Sequence, residues 1–297
     1  MSSIQKVALF GKGFLGSAVL EHLVNAGFTV TVFTRSRDSL QGIPAGVNVA
    51  EVDYSSVESL EIALRGHDAV VSTLAPLAIP FQKPAIDASI LAGVRRFIPA
   101  DFGALTVDPR AHELPNHGRV LDIQQYLREK ASCGELEYTL FAVGPFLDNV
   151  LSKPFALNYE SHTAVIYDDG NHPFSTTSVD TIGKAVAAAL KNASATRNRV
   201  LRIHDAVLTQ QKLLALARKY AAPGVVWMES RVDAEVELAS AIERVTTGDL
   251  SPPALLAVIR AAVLGGKYKA EYKDVDNEFL GLGFLSDSEL EKKFSNP

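Results

Sequence analysis

The chain has 297 residues, 47% of them hydrophobic, and a formal net charge of −5 at neutral pH. That is enough apolar material for one large α/β domain or a nucleotide-binding domain with a smaller partner, and with no basic run longer than Arg95-Arg96 or Lys292-Lys293 it argues against a nucleic-acid binder. One cysteine, Cys133, rules out an internal disulfide and a cysteine-based zinc cluster, and Pro76, Pro80 and Arg260 break the apolar stretches before any reaches bilayer length, so a cytoplasmic protein without membrane contact is expected.

Val7-Ala8-Leu9-Phe10 reads as a buried strand. It is followed by Gly11-Lys12-Gly13-Phe14-Leu15-Gly16, a helical stretch closed by Gly27, and a second apolar run, Val30-Thr31-Val32-Phe33. This is the βαβ unit that binds dinucleotides. Gly11 permits the tight turn, Gly13 lets the backbone approach a pyrophosphate, and Gly16 lets the helix pack close to the strand, so the phosphates rest on unpaired helix N–H groups. Lys6 ahead of the apolar run imitates a secretory leader, but Gly11, Lys12 and Gly13 interrupt it. The second strand ends in Thr34-Arg35-Ser36-Arg37. An acid at this point would bond the adenosine ribose and repel a 2′-phosphate, whereas an arginine pairs with that phosphate. Arg35 therefore predicts NADPH/NADP+ over NADH/NAD+, with Thr34, Ser36 and Arg37 as extra donors. Asp38, the competing acid, falls beyond the strand end. On the alternative reading, Arg35 and Arg37 are solvated charges.

Strand and helix signals then alternate, the pattern of a Rossmann-type α/β fold with a doubly wound parallel sheet. Val47 to Val52 reads as the third strand, and Ser55 with Glu58 as a capping box for the helix reaching Leu64. Asp68 to Thr73 is the fourth strand, Gln82 to Leu91 a helix, Arg96 to Pro99 the fifth strand, Val120 to Ser132 a helix and Tyr138 to Val143 the sixth strand. Ligands of such sheets lie at the carboxyl ends of the strands. That makes Asp53-Tyr54, Thr73-Leu74-Ala75, Ala100-Asp101-Phe102-Gly103 and Gly144-Pro145-Phe146 candidate pocket walls beside the Gly11 to Gly16 turn, although each loop taken alone reads equally well as connection chemistry. After Phe146 the rhythm changes. Val165 to Tyr167 reads as a strand, Asp168 to Asn171 as a turn, Asp180 to Leu190 as a helix, Val200 to Ile203 as a strand and Gln210 to Tyr220 as a helix, with mostly helical signal beyond. With no Gly/Ser-rich linker, the expectation is a dinucleotide domain over residues 1–150 and a smaller substrate domain over 151–297, partly interleaved with it.

These residues resemble the isoflavone-reductase-like and NmrA-like branch of the atypical short-chain dehydrogenases over nearly the whole chain. Val94-Arg95-Arg96-Phe97-Ile98-Pro99-Ala100-Asp101-Phe102-Gly103 is similar to the family's fifth-strand segment, which usually ends Ser-Glu-Phe-Gly. Tyr126-Leu127-Arg128-Glu129-Lys130, Tyr138-Thr139 and Gly144-Pro145-Phe146-Leu147-Asp148-Asn149 are similar to the helix and strand that follow, and Tyr167 to Gly183 to the opening of the substrate domain. The resemblance implies an NADPH-dependent oxidoreductase that passes hydride to an unsaturated or carbonyl carbon of a small aromatic or polyketide-like metabolite. It also allows an NmrA-like protein that senses NADP(H) without catalysis, or a dehydration or cyclisation enzyme on the same scaffold.

Two departures matter. The glycine loop is one residue shorter than the family's common form, a spacing that still suits a pyrophosphate. Val120 stands where many of the reductases carry a catalytic lysine, and an apolar side chain neither donates a proton nor holds a charge. The remaining acid–base candidates are His117 one turn earlier, Arg119 and Asp101. Tyr126 and Lys130 also spell Y-x-x-x-K, the tyrosine–lysine pair of typical short-chain dehydrogenases, with both on one helix face; the resemblance sets this tyrosine about two turns past the active-site position. Phe146, Phe155 and Trp227 are aromatic candidates for substrate contact or core packing. The histidines lack H-x-x-x-H spacing and Cys133 has no evident base, so neither a metal site nor a cysteine nucleophile is expected.

Overall fold

The computed structural model describes residues 3–295 apart from Thr106 and Asn116. The chain lays down β1 (Lys6–Phe10), α1 (Phe14–Asn25), β2 (Thr29–Thr34), β3 (Asn48–Glu51), α2 (Val57–Leu64), β4 (Ala69–Ser72), α3 (Gln82–Leu91), β5 (Arg96–Ile98), α4 (Gly118–Ser132) and β6 (Glu137–Ala142). It continues with α5 (Leu147–Ser152), β7 (Thr163–Tyr167), β8 (Phe174–Thr176), α6 (Val179–Lys191), β9 (Arg199–Arg202) and β10 (Ala206–Leu208). The last elements are α7 (Gln210–Lys219), β11 (Met228–Val232), α8 (Ala234–Thr246), α9 (Pro252–Leu264) and α10 (Asp287–Ser295).

Seven strands form one parallel sheet in the order β3-β2-β1-β4-β5-β6-β9. Helices cover both faces, which is why β1 and β4 read as continuous apolar runs rather than alternating ones. Val19, Leu23, Ile182 and Val186 from α1 and α6 fill one face, and Leu60, Ile86, Ile123 and Leu127 from α2, α3 and α4 fill the other. The strand order reverses between β1 and β4, so the crevice above their carboxyl ends is the topological switch point where such sheets bind ligands. Phe10 lies opposite Phe33 of β2 and opposite Ser72 of β4.

The chain after residue 150 returns to this sheet before building its own core. β9 pairs with β6, and α6 crosses α1 so closely that a β-carbon on Gly183 would lie 2.8 Å from the Ala18 carbonyl oxygen. The remaining elements form a third apolar cluster, where Ile166, Phe174, Leu213, Leu238, Val258 and Leu264 pack with Leu105 and Leu114 from the connection between β5 and α4. Two small sheets, β8 with β10 and β7 with β11, frame it. Sequence patterning gave no sign of β8, β10 or β11. β8 is three residues long and buries the polar Ser175 and Thr176 beside a single apolar residue, Phe174, and β11 is exposed from Met228 to Arg231. Among the described residues, no helix is long and apolar enough to cross a membrane.

Candidate functional site

β1 ends at Phe10, and Gly11 takes a φ of +86°, which glycine adopts without steric cost. The turn delivers the chain to Gly13, the N-cap of α1, which has no side chain to accept from the first-turn N–H groups, and no acidic residue follows in that turn. By contrast, α2, α6, α7 and α8 are capped by the side chains of Ser56, Ser178, Thr209 and Asp233. α1 therefore presents unpaired donors and its positive dipole end at the switch point. Gly16 is fixed by contact: a β-carbon there would lie 2.3 Å from the Gly11 carbonyl oxygen and 2.6 Å from Thr73 Oγ1. Thr73, just past β4, closes the turn, its hydroxyl lying 2.9 Å from Gly11 O and 3.1 Å from Phe10 O. A β-carbon on Gly13 would meet nothing within 4 Å, so the turn is open on that side. An uncapped helix start beside a turn stripped of side chains fits the pyrophosphate of a dinucleotide.

Around this turn the predicted walls divide into those that face the crevice and those that support it. Leu74 Cδ2 would be 3.5 Å from a β-carbon on Gly11, and the exposed Phe14 ring lies 6.5 Å from that of Phe146. Leu15 is buried under α1 and Ala75 is exposed. Tyr54 is buried beneath the turn, donating from its hydroxyl to Phe33 O at 2.8 Å and meeting Phe10 edge-on; burial pushes its phenol well above the ordinary value. Asp53 is used locally, accepting from the amide and hydroxyl of Ser55, which hold its carboxyl below the usual range. Past β2, Arg35 is exposed, while Thr34 Oγ1 bonds the backbone of Ser36. Arg37 turns away, donating to Val49 O at 2.9 Å, and Lys12 Nζ reaches Gln41 O at 2.8 Å.

At the other side of the crevice, Gly144 has a φ of +70°, and a β-carbon there would lie 1.9 Å from Ser175 O. Thr176 Oγ1 donates to Pro145 O at 2.7 Å, locking β8 onto the β6 end. After β5, buried Asp101 accepts from Gln124 Nε2 at 2.7 Å, Ala100 N donates to Gln82 Oε1 at 2.6 Å, and Phe102 stacks on Phe141 at 5.7 Å. Tyr272 braces both loops, its hydroxyl donating to Ala104 O and its amide to Ser175 Oγ, each at 2.9 Å. Ser175 Oγ also meets His204 Nδ1 at 3.0 Å. Sequence reasoning missed Gln82, Gln124, Ser175, His204 and Tyr272 as site supports, since none belongs to a motif.

His117 is the N-cap residue of α4, 9% exposed, with Nδ1 buried and without a hydrogen-bond partner. Val120 follows in the first turn, half-buried, and Arg119 is exposed. Tyr126 and Lys130 are engaged elsewhere. The Tyr126 hydroxyl donates to Asp87 of α3, its ring lies between Lys83 and Lys130, and Lys130 Nζ pairs with Glu135 at 3.0 Å. This helix contact is about 13 Å along α4 from His117. Phe155 and Trp227 are core residues of the C-terminal half, edge-on to Phe174 and Tyr159 respectively. Among the described residues, no group of three or more His, Cys, Asp or Glu is placed to hold a metal ion.

Burial lowers the pKa of His67, His117 and His204 from the ordinary 6.5. Below that value the unfolded chain takes up protons that the native state refuses, so the stability these groups confer is full above pH 6.5 and is lost as pH falls through their depressed native values. The urea midpoint is therefore expected to fall between pH 7 and about pH 5, before most carboxylates titrate. An unchanged or rising midpoint would contradict neutral burial.

Comparison with known proteins agrees with this geometry. A family model described as NAD(P)H-binding matches residues 11–193. The chain is similar to the oxidoreductase aprR of Aspergillus flavus, 35% identical over 291 residues that cover 94% of this chain and 95% of that protein. The fold is that of a solved isoflavone reductase, with a TM-score of 0.75 at 20% identity, covering 98% of this chain and all (100%) of that one. The NADPH-dependent quinone oxidoreductase QOR2 of Escherichia coli, solved with NADPH, superposes with a TM-score of 0.75 at 20% identity over 98% of this chain and 100% of that one.

Proposed function

This chain belongs to the NAD(P)H-binding family, in its isoflavone-reductase-like branch, and we propose that it is an NADPH-dependent reductase acting on an unsaturated or carbonyl carbon of a small aromatic or polyketide-like metabolite. The observations that carry this reading are the exposed Arg35 directly beyond β2 and the uncapped start of α1. Gly11 to Gly16 and the first N–H groups of α1 hold the pyrophosphate, and Arg35 pairs with the 2′-phosphate. Phe14 and the Gly144-Pro145-Phe146 segment wall the nicotinamide side, with the half of the chain after residue 150 covering the substrate. When bound, the nicotinamide supplies the hydride.

The chain's own chemistry then falls to His117. Its burial keeps the imidazole neutral at pH 7, so it acts as an N–H donor that polarises a substrate carbonyl rather than as a standing cation. Asp101, tied to Gln124, holds the loop after β5 in place.

The test follows loss of reduced-nicotinamide absorbance over a panel of enones, isoflavonoids and aromatic ketones. Turnover of at least one is expected, with His117→Gln lowering kcat by about 100-fold while NADPH binding is unchanged. No turnover, combined with strong discrimination between NADPH and NADP+, would contradict the reductase reading. It would favour a non-catalytic sensor, which the apolar Val120 supports.

A further inference from the structure

β11 has an open edge. It pairs with β7 in parallel register, from Met228 against Thr163 to Val232 against Tyr167, and among the described residues no strand pairs with its other side. At the two ends of the pairing, Met228 N donates to His162 O and Asp168 N to Val232 O, both at 2.9 Å. Backbone groups alternate sides along a strand, so Met228, Ser230 and Val232 turn theirs to β7 while Glu229 and Arg231 turn theirs outward. Such an unpaired row is a template for another strand. Glu229 and Arg231 also share one face of the strand, and Met228, Ser230 and Val232 the other. Met228 is 63% exposed, and Val165, opposite Ser230 in β7, is exposed on the same face. Glu229 Oε1 pairs with Arg218 of α7, whereas Arg231 makes no ion pair among the described residues.

We propose that the outer edge of β11 is the surface on which two copies of this chain dimerise, antiparallel about a two-fold axis at Ser230, giving one continuous sheet in the order β7-β11-β11-β7. Backbone and charge fix the register together. The outward residues must be the hydrogen-bonded partners of the antiparallel pair, because their N–H and C=O groups are the ones β7 does not take. With Ser230 on the axis, Glu229 meets Arg231 of the partner subunit and Arg231 meets the partner's Glu229. Each couple exchanges both backbone bonds and sets opposite charges side by side, while Met228 lies against the partner's Val232 on the other face. Moving the axis to Glu229 sets that carboxylate against its own copy. Moving it to Arg231 sets two guanidiniums together and puts Glu229 against the partner's Asp233. Like charges placed directly opposite destabilise a strand pair, so charges that keep this edge from pairing at random admit one register with a second copy.

Sedimentation equilibrium of the full chain is expected to show monomer and dimer in proportions that shift with concentration in the micromolar range. Arg231→Glu and Glu229→Arg each place like charges across the axis and are expected to weaken the dimer about tenfold or more. Mixed in equal amounts, the two variants are expected to associate with each other as the native chain does with itself, since the carboxylates of one then face the guanidiniums of the other. Backbone hydrogen exchange gives a reading on the native chain alone. The Glu229 and Arg231 amides are expected to slow as the dimer forms, with the Ser230 amide, turned to β7, unchanged. A native chain that stays monomeric throughout the micromolar range would overturn the proposal, as would a dimer in which the Glu229 and Arg231 amides exchange as fast as in the monomer. Variants that dimerise as tightly as the native chain would overturn it too.

Discussion

Gly144→Ala is expected to destabilise the protein by about 3 kcal/mol or more, from the combined cost of a left-handed backbone and an overpacked contact. The added methyl would meet the Ser175 carbonyl oxygen at 1.9 Å, and a backbone oxygen in β8 cannot swing aside as a side-chain tip can. Relief requires β8 to move off the β6 end. That would break Thr176 Oγ1 to Pro145 O at 2.7 Å, Thr177 Oγ1 to Val143 O at 2.5 Å and Leu147 N to Thr177 O at 2.9 Å. Gly134 is the control: its φ is +73° but a β-carbon there would meet nothing within 4 Å, so Gly134→Ala carries the backbone cost alone, about 1 kcal/mol. Urea denaturation of both variants measures the difference. A Gly144→Ala variant no less stable than Gly134→Ala would show that the strand-end junction is loose.

Arg35→Asp is expected to abolish the cofactor preference, weakening NADPH about 100-fold while leaving NADH nearly unchanged. The substitution removes a planar guanidinium suited to a phosphate monoester and places a carboxylate where the family of NAD-binding sites carries its ribose-bonding acid. Because Arg35 is exposed, the interaction is screened, and the loss measured at low ionic strength is expected to shrink as salt is raised. Calorimetric titration at two salt concentrations checks both features. An unaltered NADPH affinity would return Arg35 to the status of a solvated charge.

The glycine turn was legible because its chemistry is local: apolar β1, three spaced glycines and an arginine after β2 are neighbours in sequence. Six strands of the large sheet and β9 were readable for the same reason, each a short apolar run between turn residues. The supports of the site were hidden because their partners are distant. Tyr272 meets Ala104 168 positions away, and Gln124 meets Asp101 from a helix whose pattern marks it only as a polar residue. β8 escaped notice because Phe174 is its one apolar residue, while the buried hydroxyls of Thr176 and of Thr177 just after it satisfy carbonyls at the β6 end, leaving no hydrophobic period to detect. Y-x-x-x-K was visible as spacing, but only the fold reveals that Asp87 on α3 takes the tyrosine hydroxyl. Likewise Tyr54 stood in the sequence as a wall of the crevice, and the fold places it underneath, bonded to Phe33.

The central claim is that the mouth of the crevice between β1 and β2 selects a phosphorylated dinucleotide. Calorimetric titration of the purified chain with NADPH and then NADH tests it most directly. One site that binds NADPH about 100-fold more tightly than NADH is the predicted result; equal or tighter binding of NADH, or no heat with either, would contradict it.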